Sequence, residues 1–225
     1  MSSGKRILII GGSGRTGKMV VEELQYRGHR VTALVRKPES MATEVTAGLK
    51  MVTGTPMNKD DVRRAFMQCH PEVVVVTLAA PRAGDSPFAA VIAPPRLMAD
   101  STANVVAIMK EFRTPKMVVM QAFGVGESWP NLHCVMRLLM KKSNMIYQYD
   151  DHNLVAKETK ASGETYVFVR PSRLTEGEAA EVIEWPDHGK GVPMMGAISR
   201  GSVAKFLCDA AEKTTWDNLA PVITN

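Results

Sequence analysis

Three glycines near the start of the sequence have the spacing of a turn that binds phosphate. Gly11, Gly14 and Gly17 follow the apolar run Ile7–Ile10, and helical periodicity begins just after them. In such a strand–turn–helix, the first glycine permits the sharp turn, the second lets backbone N–H groups approach a pyrophosphate, and the third lets the helix pack against the strand. Because a helix N-terminus carries partial positive charge, it stabilises an anion there. The other residues of the turn expected at this site are Ser13, Arg15 and Thr16.

The same glycines could belong to a mononucleotide P-loop or to a plain glycine-rich turn. The P-loop requires four residues between its glycines and a Lys-Ser or Lys-Thr ending, whereas Met19 follows Lys18 here. A plain turn is disfavoured because the glycines stand between a predicted strand and a predicted helix. The pattern therefore favours a dinucleotide.

The residues after the second predicted strand, 30–35, indicate which dinucleotide. An NAD-selective protein places an acid there to bind the ribose 2′-hydroxyl, but this chain has Arg36 and Lys37, with no acid before Glu39. A guanidinium binds a 2′-phosphate through two hydrogen bonds, and Arg15 could reach the same phosphate or stack on the adenine. NADP(H) is the predicted cofactor, although a surface arginine after a strand is the simpler alternative for Arg36.

Strands and helices alternate through the first half of the chain. Further strands are predicted at 49–53, 73–77 and 116–121, with helices at about 59–68 and 96–112 between them. This alternation predicts an α/β fold with a doubly wound parallel sheet and the ligand beyond the C-terminal ends of the strands. The residues that follow these strands and are expected along the cofactor are Thr55, Leu78, Ala79 and Gln121.

Composition and charge restrict the class of protein. At 225 residues the chain suits a single α/β domain over 1–225. No apolar run approaches roughly 18 residues and no signal-peptide pattern precedes the first strand, so a cytoplasmic protein without a membrane segment is expected. Cys69, Cys134 and Cys208 are too far apart to suggest a disulfide framework or a metal site. The net charge of +5 is scattered, so nucleic acid is not an expected partner.

Motifs along nearly the whole chain resemble a known family. The sequence is similar to the NmrA-like, flavin-reductase and biliverdin-reductase-B-like branch of atypical short-chain dehydrogenases. The stretches that carry the resemblance are GGSGRTG, VRKP at 35–38, MVTGTPMNKDDVRRAF, PKMVVMQAFGVG, VFVRPSRL and ISRGSVAKFL at 198–207. The resemblance implies an NAD(P)-binding Rossmann fold with a small C-terminal substrate lobe, and it implies that the backbone around Pro171 lines the nicotinamide.

The usual catalytic residues of short-chain dehydrogenases are missing from this sequence. Ordinary members carry a Ser after the fifth strand and a Tyr-x-x-x-Lys on the next helix. Here Gln121-Ala122 follows the strand, and Asn153 stands four residues before Lys157. Asparagine is not a general acid at neutral pH, so the usual proton transfer is unavailable. Lys157 remains a candidate for the nicotinamide ribose, against the alternative of an exposed helix lysine.

Other proton donors are sought just upstream of Asn153. If that stretch is helical, Tyr149 lies one turn before Asn153 and His152 lies beside it, so both are tentative catalytic residues. For His152 a surface position is the simpler alternative. Asp150 and Asp151 are expected to cap the N-terminus of this helix rather than to act as acid or base.

Three segments are predicted to face the substrate: 81–95, 124–152 and 174–197. The chain has 15 methionines, and flexible thioethers suit a pocket for a bulky apolar molecule. The leading hypothesis is an NADP(H)-dependent oxidoreductase acting on a small apolar, aromatic or polycyclic substrate, as in a tailoring step of secondary metabolism. The alternatives are a cofactor-bound enzyme that catalyses a non-redox rearrangement, and an NADP-sensing regulator that acts through a protein partner.

Overall fold

The computed structural model describes residues 4–41 and 48–225, in which strands and helices alternate. The strands are β1 (Arg6–Ile10), β2 (Arg30–Val35), β3 (Lys50–Thr53), β4 (Val73–Val76), β5 (Met117–Met120), β6 (Tyr166–Pro171), β7 (Arg173–Thr175), β8 (Ile183–Trp185), β9 (Ala197–Ser199) and β10 (Val222–Thr224). The helices are α1 (Arg15–Tyr26), α2 (Lys59–Cys69), α3 (Leu97–Phe112), α4 (Cys134–Lys142), α5 (Met145–Ser162), the single turn α6 (Pro186–Gly189) and α7 (Arg200–Glu212). Short 3₁₀ helices cover Pro38–Met41 and Gly126–Asn131.

The main sheet has eight strands in the order β3-β2-β1-β4-β5-β6-β10-β8. Its strands are parallel except for β8, which pairs with β10 in the antiparallel direction. The strand order reverses between β1 and β4, and a crevice for ligands opens at such a point. Ile10 lies opposite Leu34 on β2 and Val76 on β4, so these three strands end at one edge of the sheet. The doubly wound α/β fold predicted from the sequence is confirmed.

Helices cover both faces of this sheet. On β1, Ile7 and Ile9 face the layer of α1 and α7, whereas Leu8 and Ile10 face α2, α3 and α5. Burial on both faces explains why β1 is a continuous apolar run rather than an alternating one. Within the two described ranges, no helix combines the length and the apolar character that crossing a bilayer requires.

The predicted cap at the start of α5 is wrong, because the helix begins earlier than expected. It starts at Met145, which places Asp151 in its second turn. The Asp151 carboxylate instead accepts hydrogen bonds from the amides of Met98 (2.8 Å) and Ala99 (3.0 Å), in the first turn of α3. The N-cap residue of α3, Arg96, gives no side-chain cap of its own, so Asp151 supplies one from the neighbouring helix.

The segment 174–197 packs against the C-terminal end of the main sheet. Its strand β8 belongs to that sheet, whereas β9 pairs with β7 in a separate two-stranded parallel sheet. A small apolar cluster that includes Phe123, Tyr149 and Val222 lies beneath it. The segment is thereby held over the edge at which the parallel strands end.

Candidate active site

In the turn between β1 and α1, two of the three glycines of the G-x-x-G-x-x-G pattern have little room for side chains. Gly11 has φ +90°, and a Cβ there would lie 2.8 Å from the carbonyl oxygen of Thr77. A Cβ on Gly17 would lie 2.2 Å from the carbonyl oxygen of Gly11. Gly14 differs, because its Cβ would meet only that same oxygen, at 3.3 Å. Packing therefore explains Gly11 and Gly17 but leaves space at Gly14, where a ligand could approach the backbone.

The N-terminus of α1 is suited to an anion. Its N-cap residue is Gly14, which has no side chain to bond the first amides of the helix, and the first turn contains no acid. The amides of that first turn lie beside the cavity, since Arg15, Thr16 and Gly17 line it. Free N–H groups and the helix dipole together stabilise a phosphate here. The residues therefore fit the phosphates of a dinucleotide.

A cavity of about 950 Å³ extends from this turn across the C-terminal ends of the strands. Such a volume is at the upper end of the roughly 300–1,000 Å³ found for small-molecule sites. Of the residues predicted to bind cofactor, those that line it are Gly14, Arg15, Thr16, Gly17, Leu78, Ala79, Gln121 and Pro171. Each of the segments 81–95, 124–152 and 174–197 also contributes lining residues, among them Asp85, Leu132 and Val192.

The remaining predicted cofactor residues lie outside this cavity. Gly11 and Ser13 belong to the turn but do not line the cavity. Arg36 and Lys37 are exposed just past β2, two and three residues after Leu34, which lies opposite Ile10. Because parallel strands end at one edge, they lie on the same side of the sheet as the glycine turn. Thr55 follows β3 at that edge, and its amide donates to the Asp61 carboxylate at 2.9 Å.

The prediction that Lys157 contacts the cofactor is not supported. Lys157 is exposed and does not line the cavity. The face of α5 that does so carries Met145, Gln148, Tyr149 and His152. Five residues beyond His152, a helix of 3.6 residues per turn has rotated by roughly 140°, so Lys157 lies on a different face of α5 from the cavity lining.

The two positions that the Tyr-x-x-x-Lys motif would occupy, 153 and 157, therefore lie on a face of α5 that does not line the cavity. Asn153, which takes the tyrosine position in that frame, is exposed, and its side-chain oxygen accepts a hydrogen bond from the amide of Gly126 at 2.8 Å. Ala156, four residues after His152, is buried in the apolar core with α3 and does not line the cavity either. No lysine of α5 therefore lines the cavity.

Tyr149 lines the cavity, but its hydroxyl is engaged by the protein. It donates to the carbonyl oxygen of Phe123 at 3.0 Å, and burial raises the pKa of Tyr149 to about 12. A phenol in this state holds its proton strongly and already has an acceptor. Acid catalysis by Tyr149 would require that hydrogen bond to break.

His152 is buried beside the cavity, with only 6% of its surface exposed. Burial, and to a lesser degree the charge of Arg170, lowers its pKa to about 4. Its Nδ1 has no hydrogen-bond partner among the described residues. At neutral pH the imidazole is therefore neutral, and its unpaired Nδ1 is itself buried.

Comparison with known proteins gives the family. A family model described as NAD(P)H-binding matches residues 11–214, from the first glycine of the turn to just beyond α7. The chain belongs to this NAD(P)H-binding family. The family resemblance predicted from the sequence is thereby confirmed.

Several characterised proteins are similar to this member of the family. A 3-diazoavenalumate denitrifying reductase from Streptomyces sp. is 31% identical over 127 residues, which are 56% of this chain and 40% of that protein. The chain thus matches about two fifths of the length of that curated relative. ChuY, an anaerobillin reductase from Escherichia coli O157:H7, has a TM-score of 0.75 at 16% identity and covers 97% of this chain and 96% of its own. A short-chain dehydrogenase/reductase from Veillonella parvula in complex with NADP has a TM-score of 0.75 at 16% identity, with coverages of 98% and 94%. These structural likenesses establish the fold.

This member of the NAD(P)H-binding family has a buried arginine under the cavity that sequence reasoning missed. Arg170, at the end of β6, is fully buried and donates to the side-chain oxygen of Gln121 at 3.3 Å. Gln121 in turn donates to the carbonyl oxygen of His152 at 3.0 Å. The amide of Gln121 is thus held from two sides, which fixes its orientation at the cavity wall. The sequence does carry a signal for this buried arginine, because a charged residue directly follows the apolar residues 167–169.

Glu127 balances the charge of Arg170. It accepts from Arg170 at 3.0 Å and from Lys160 on α5. Although burial acts to raise its pKa, the hydrogen bonds of Lys160 and Arg170 lower the pKa of Glu127 to about 2. Glu127 is therefore ionised at neutral pH and pairs with both cations.

The lowered pKa of His152 predicts a specific pH dependence of stability. Below its ordinary value of 6.5, the unfolded chain binds a proton at this imidazole while the folded chain does not, until pH falls to about 4. Acidification from about pH 7 to pH 5 should therefore remove about 2 kcal/mol from the free energy of unfolding at this group alone. Over the same pH interval the His152→Asn protein should lose correspondingly less of its free energy of unfolding, as measured by urea unfolding.

The matched control is His133→Asn, at an exposed histidine that also lines the cavity. Carboxylates titrate equally in all three proteins, so differences between their pH profiles isolate the imidazoles. Parallel profiles for wild type and His152→Asn would show that His152 titrates normally.

Proposed function

We propose that this protein is an NADP(H)-dependent oxidoreductase that acts on a bulky apolar, aromatic or polycyclic molecule. The observation that supports it is the continuity of one cavity, which joins the anion-binding turn at Gly14–Gly17 to an apolar chamber beyond the strand ends. A cofactor held at the turn would place its reactive end in that chamber, where ligands bind in doubly wound folds. The Streptomyces relative is named as a reductase, which agrees with this class.

The preference for NADP(H) rests on Arg36. In this proposal the turn binds the pyrophosphate, Arg36 and Lys37 bind the 2′-phosphate, and the backbone near Pro171 lies along the nicotinamide. NADPH supplies a hydride when bound. The protein supplies binding, orientation and exclusion of water. Of the two predicted proton donors at the chamber, His152 is neutral and Tyr149 is already hydrogen-bonded.

The proton that accompanies reduction is proposed to come from solvent. The hydroxyl of Tyr149 is committed to the carbonyl oxygen of Phe123 and has a pKa of about 12. His152 carries no extra proton at neutral pH because its pKa is about 4. Its unpaired Nδ1 is buried, so in this proposal the imidazole forms part of the chamber wall and donates no proton.

The lining of the chamber supports a bulky apolar substrate. Methionine side chains adapt to irregular shapes and contact aromatic rings favourably. Those that line the cavity are Met120, Met136, Met140, Met145, Met194 and Met195. Since Arg36 and Thr55 lie outside the cavity, the adenosine half of the cofactor would occupy little of its 950 Å³. The remaining space is sufficient for a ring system.

Oxidation of NADPH against a panel of quinones, flavins and enones tests the proposal. Loss of absorbance at 340 nm, dependent on one of these substrates and slower with NADH, is the expected result. Conversion of a substrate in the presence of bound NADP, without net oxidation of NADPH, would instead indicate a non-redox rearrangement enzyme. Tight NADP binding without conversion of any compound would contradict enzymatic activity and favour a regulator.

A further inference from the structure

Arginines predominate among the charged side chains that line the cavity. In the part of the chain that the structure describes, the charged lining residues are Arg15, Arg82, Arg173, Arg200, Asp85 and Glu176. A wholly apolar substrate would gain nothing from such an excess of positive charge. The excess instead suits negative groups, both the cofactor phosphates at the turn and an acidic group on the substrate.

Arg200 is the most buried of these four arginines. Its side chain is only 10% exposed, and its Nη1 donates to Glu176 Oε1 at 2.6 Å. Glu176 itself is 65% exposed, in the irregular stretch after β7. Burying a guanidinium is costly unless it is well paired, and a solvated surface acid is a weak and replaceable partner.

The position of Arg200 on its helix does not serve the stability of that helix. It is the first residue of α7, where the helix dipole disfavours a cation. An anion in front of Arg200 would be stabilised by the guanidinium and by the dipole together. The placement of Arg200 therefore suits the binding of an anion.

Glu176 marks where such an anion can lie. The oxygen that accepts from Arg200 is also 3.6 Å from Arg15 Nη1, on the glycine turn. Arg15 has a second partner in Asp85, at 3.3 Å, which is 90% exposed. One carboxylate oxygen thus lies between two guanidinium groups that belong to separate helices, α1 and α7.

We propose that Arg200 binds a carboxylate of the substrate in the place that the Glu176 carboxylate takes, so that the substrate class is an aromatic or polycyclic carboxylic acid. This inference rests on the proposed function, because it treats the cavity as a substrate site, and it adds the chemical class of the substrate. Guanidinium and carboxylate match in planar geometry and form two parallel hydrogen bonds, whereas Glu176 can turn outward into solvent. A phosphate of the cofactor is the other anion that could reach this point, because Arg15 belongs to the turn.

Binding of 2-naphthoate and of its neutral analogue 2-naphthamide to protein saturated with NADP⁺ tests this proposal. By calorimetry, the wild type should bind naphthoate more tightly than naphthamide. Arg200→Met should weaken naphthoate binding by about ten- to a hundredfold and leave naphthamide binding unchanged. Glu176→Gln should strengthen naphthoate binding several-fold, because it removes the competing carboxylate.

Arg173→Met is the matched control, since Arg173 also lines the cavity but is exposed and makes no ion pair within the described ranges. An exposed arginine should change naphthoate affinity by less than about threefold. Equal losses in the two arginine variants would overturn the assignment to Arg200. If Arg200→Met weakens NADP⁺ itself and spares naphthoate, Arg200 binds a cofactor phosphate and the proposal is wrong.

The two proposals fail in different ways. Selective naphthoate binding that depends on Arg200, without any NADPH oxidation, would contradict the oxidoreductase and leave the carboxylate site in place. Circular dichroism verifies that Arg200→Met is folded. If it is not, Glu176→Gln decides alone, because unchanged naphthoate affinity in that variant would contradict the proposed competition.

Discussion

Gly17→Ala should abolish measurable NADP⁺ binding and lower the free energy of unfolding by about 2–3 kcal/mol. The added Cβ would lie 2.2 Å from the carbonyl oxygen of Gly11 and 2.9 Å from the Cα of Gly12. Both atoms belong to the backbone, so no side-chain rotation relieves the overlap and α1 must move away from the turn. That displacement outweighs the gain of about 1 kcal/mol that alanine gives over glycine inside a helix.

Gly14→Ala is the matched comparison within the same turn. Its Cβ would meet only the carbonyl oxygen of Gly11, at 3.3 Å, and Gly14 already has φ −73°, which alanine adopts freely. We expect a folded protein that loses no more than about 1 kcal/mol, the usual cost of a poor N-cap residue. Its NADP⁺ affinity should nevertheless fall, because the methyl group would stand where the backbone approaches the pyrophosphate.

Urea unfolding and calorimetric titration with NADP⁺ measure these two effects separately. The expected pattern is loss of both stability and binding for Gly17→Ala, and loss of binding alone for Gly14→Ala. A Gly17→Ala protein as stable as wild type would show that the turn relaxes without cost. Unimpaired NADP⁺ binding by Gly14→Ala would remove the argument that a pyrophosphate approaches this backbone.

Most of the main sheet could be predicted from the sequence, because its signals are local. The run Val73–Val76 is apolar on both faces, as a central parallel strand requires, and the structure buries it completely. Asn58 before Asp60 and Asp61 is typical of a helix start, and its side chain accepts hydrogen bonds from both of their amides. In each case the residues that specify the element lie within it or directly before it.

The wall of the cavity was less predictable, because it depends on contacts between distant segments. Asp151 has the local appearance of a cap for its own helix, yet it caps α3, some fifty residues earlier in the chain. The family pattern predicts a role for Lys157, but only the rotation of α5 about its axis shows that Tyr149 and His152 form the cavity face. No spacing in a single sequence specifies that rotation.

Arg36→Asp should reduce the preference for NADP over NAD by more than a hundredfold. Losing a charged hydrogen bond to the 2′-phosphate costs about 1.5–3 kcal/mol, or roughly ten- to a hundredfold in affinity, and repulsion by the new carboxylate adds to this. NAD affinity should be retained or improved, because an acid at this place accepts a hydrogen bond from the ribose 2′-hydroxyl. The measured quantity is the ratio of the dissociation constants for NADP⁺ and NAD⁺.

The geometry of β2 makes Arg36 the residue to test. Leu34 lies opposite Ile10, so Arg36 lies beyond the strand end at the edge that carries the glycine turn. It is exposed and forms no ion pair in residues 4–41 and 48–225, so no acid of the described protein competes for its guanidinium. Arg15 is the contrasting case, since it is already engaged with Asp85 and Glu176.

Arg30→Asp supplies the control for net charge. Arg30 is exposed at the opposite end of the same strand, and its replacement changes the charge of the protein by the same amount. A general electrostatic effect on the more highly charged nucleotide would appear in both variants and would weaken as salt is added. A direct contact should appear in Arg36→Asp alone. If the ratio of NADP⁺ to NAD⁺ affinities is the same in wild type and Arg36→Asp, another residue must recognise the 2′-phosphate, and Lys37 is the next to replace.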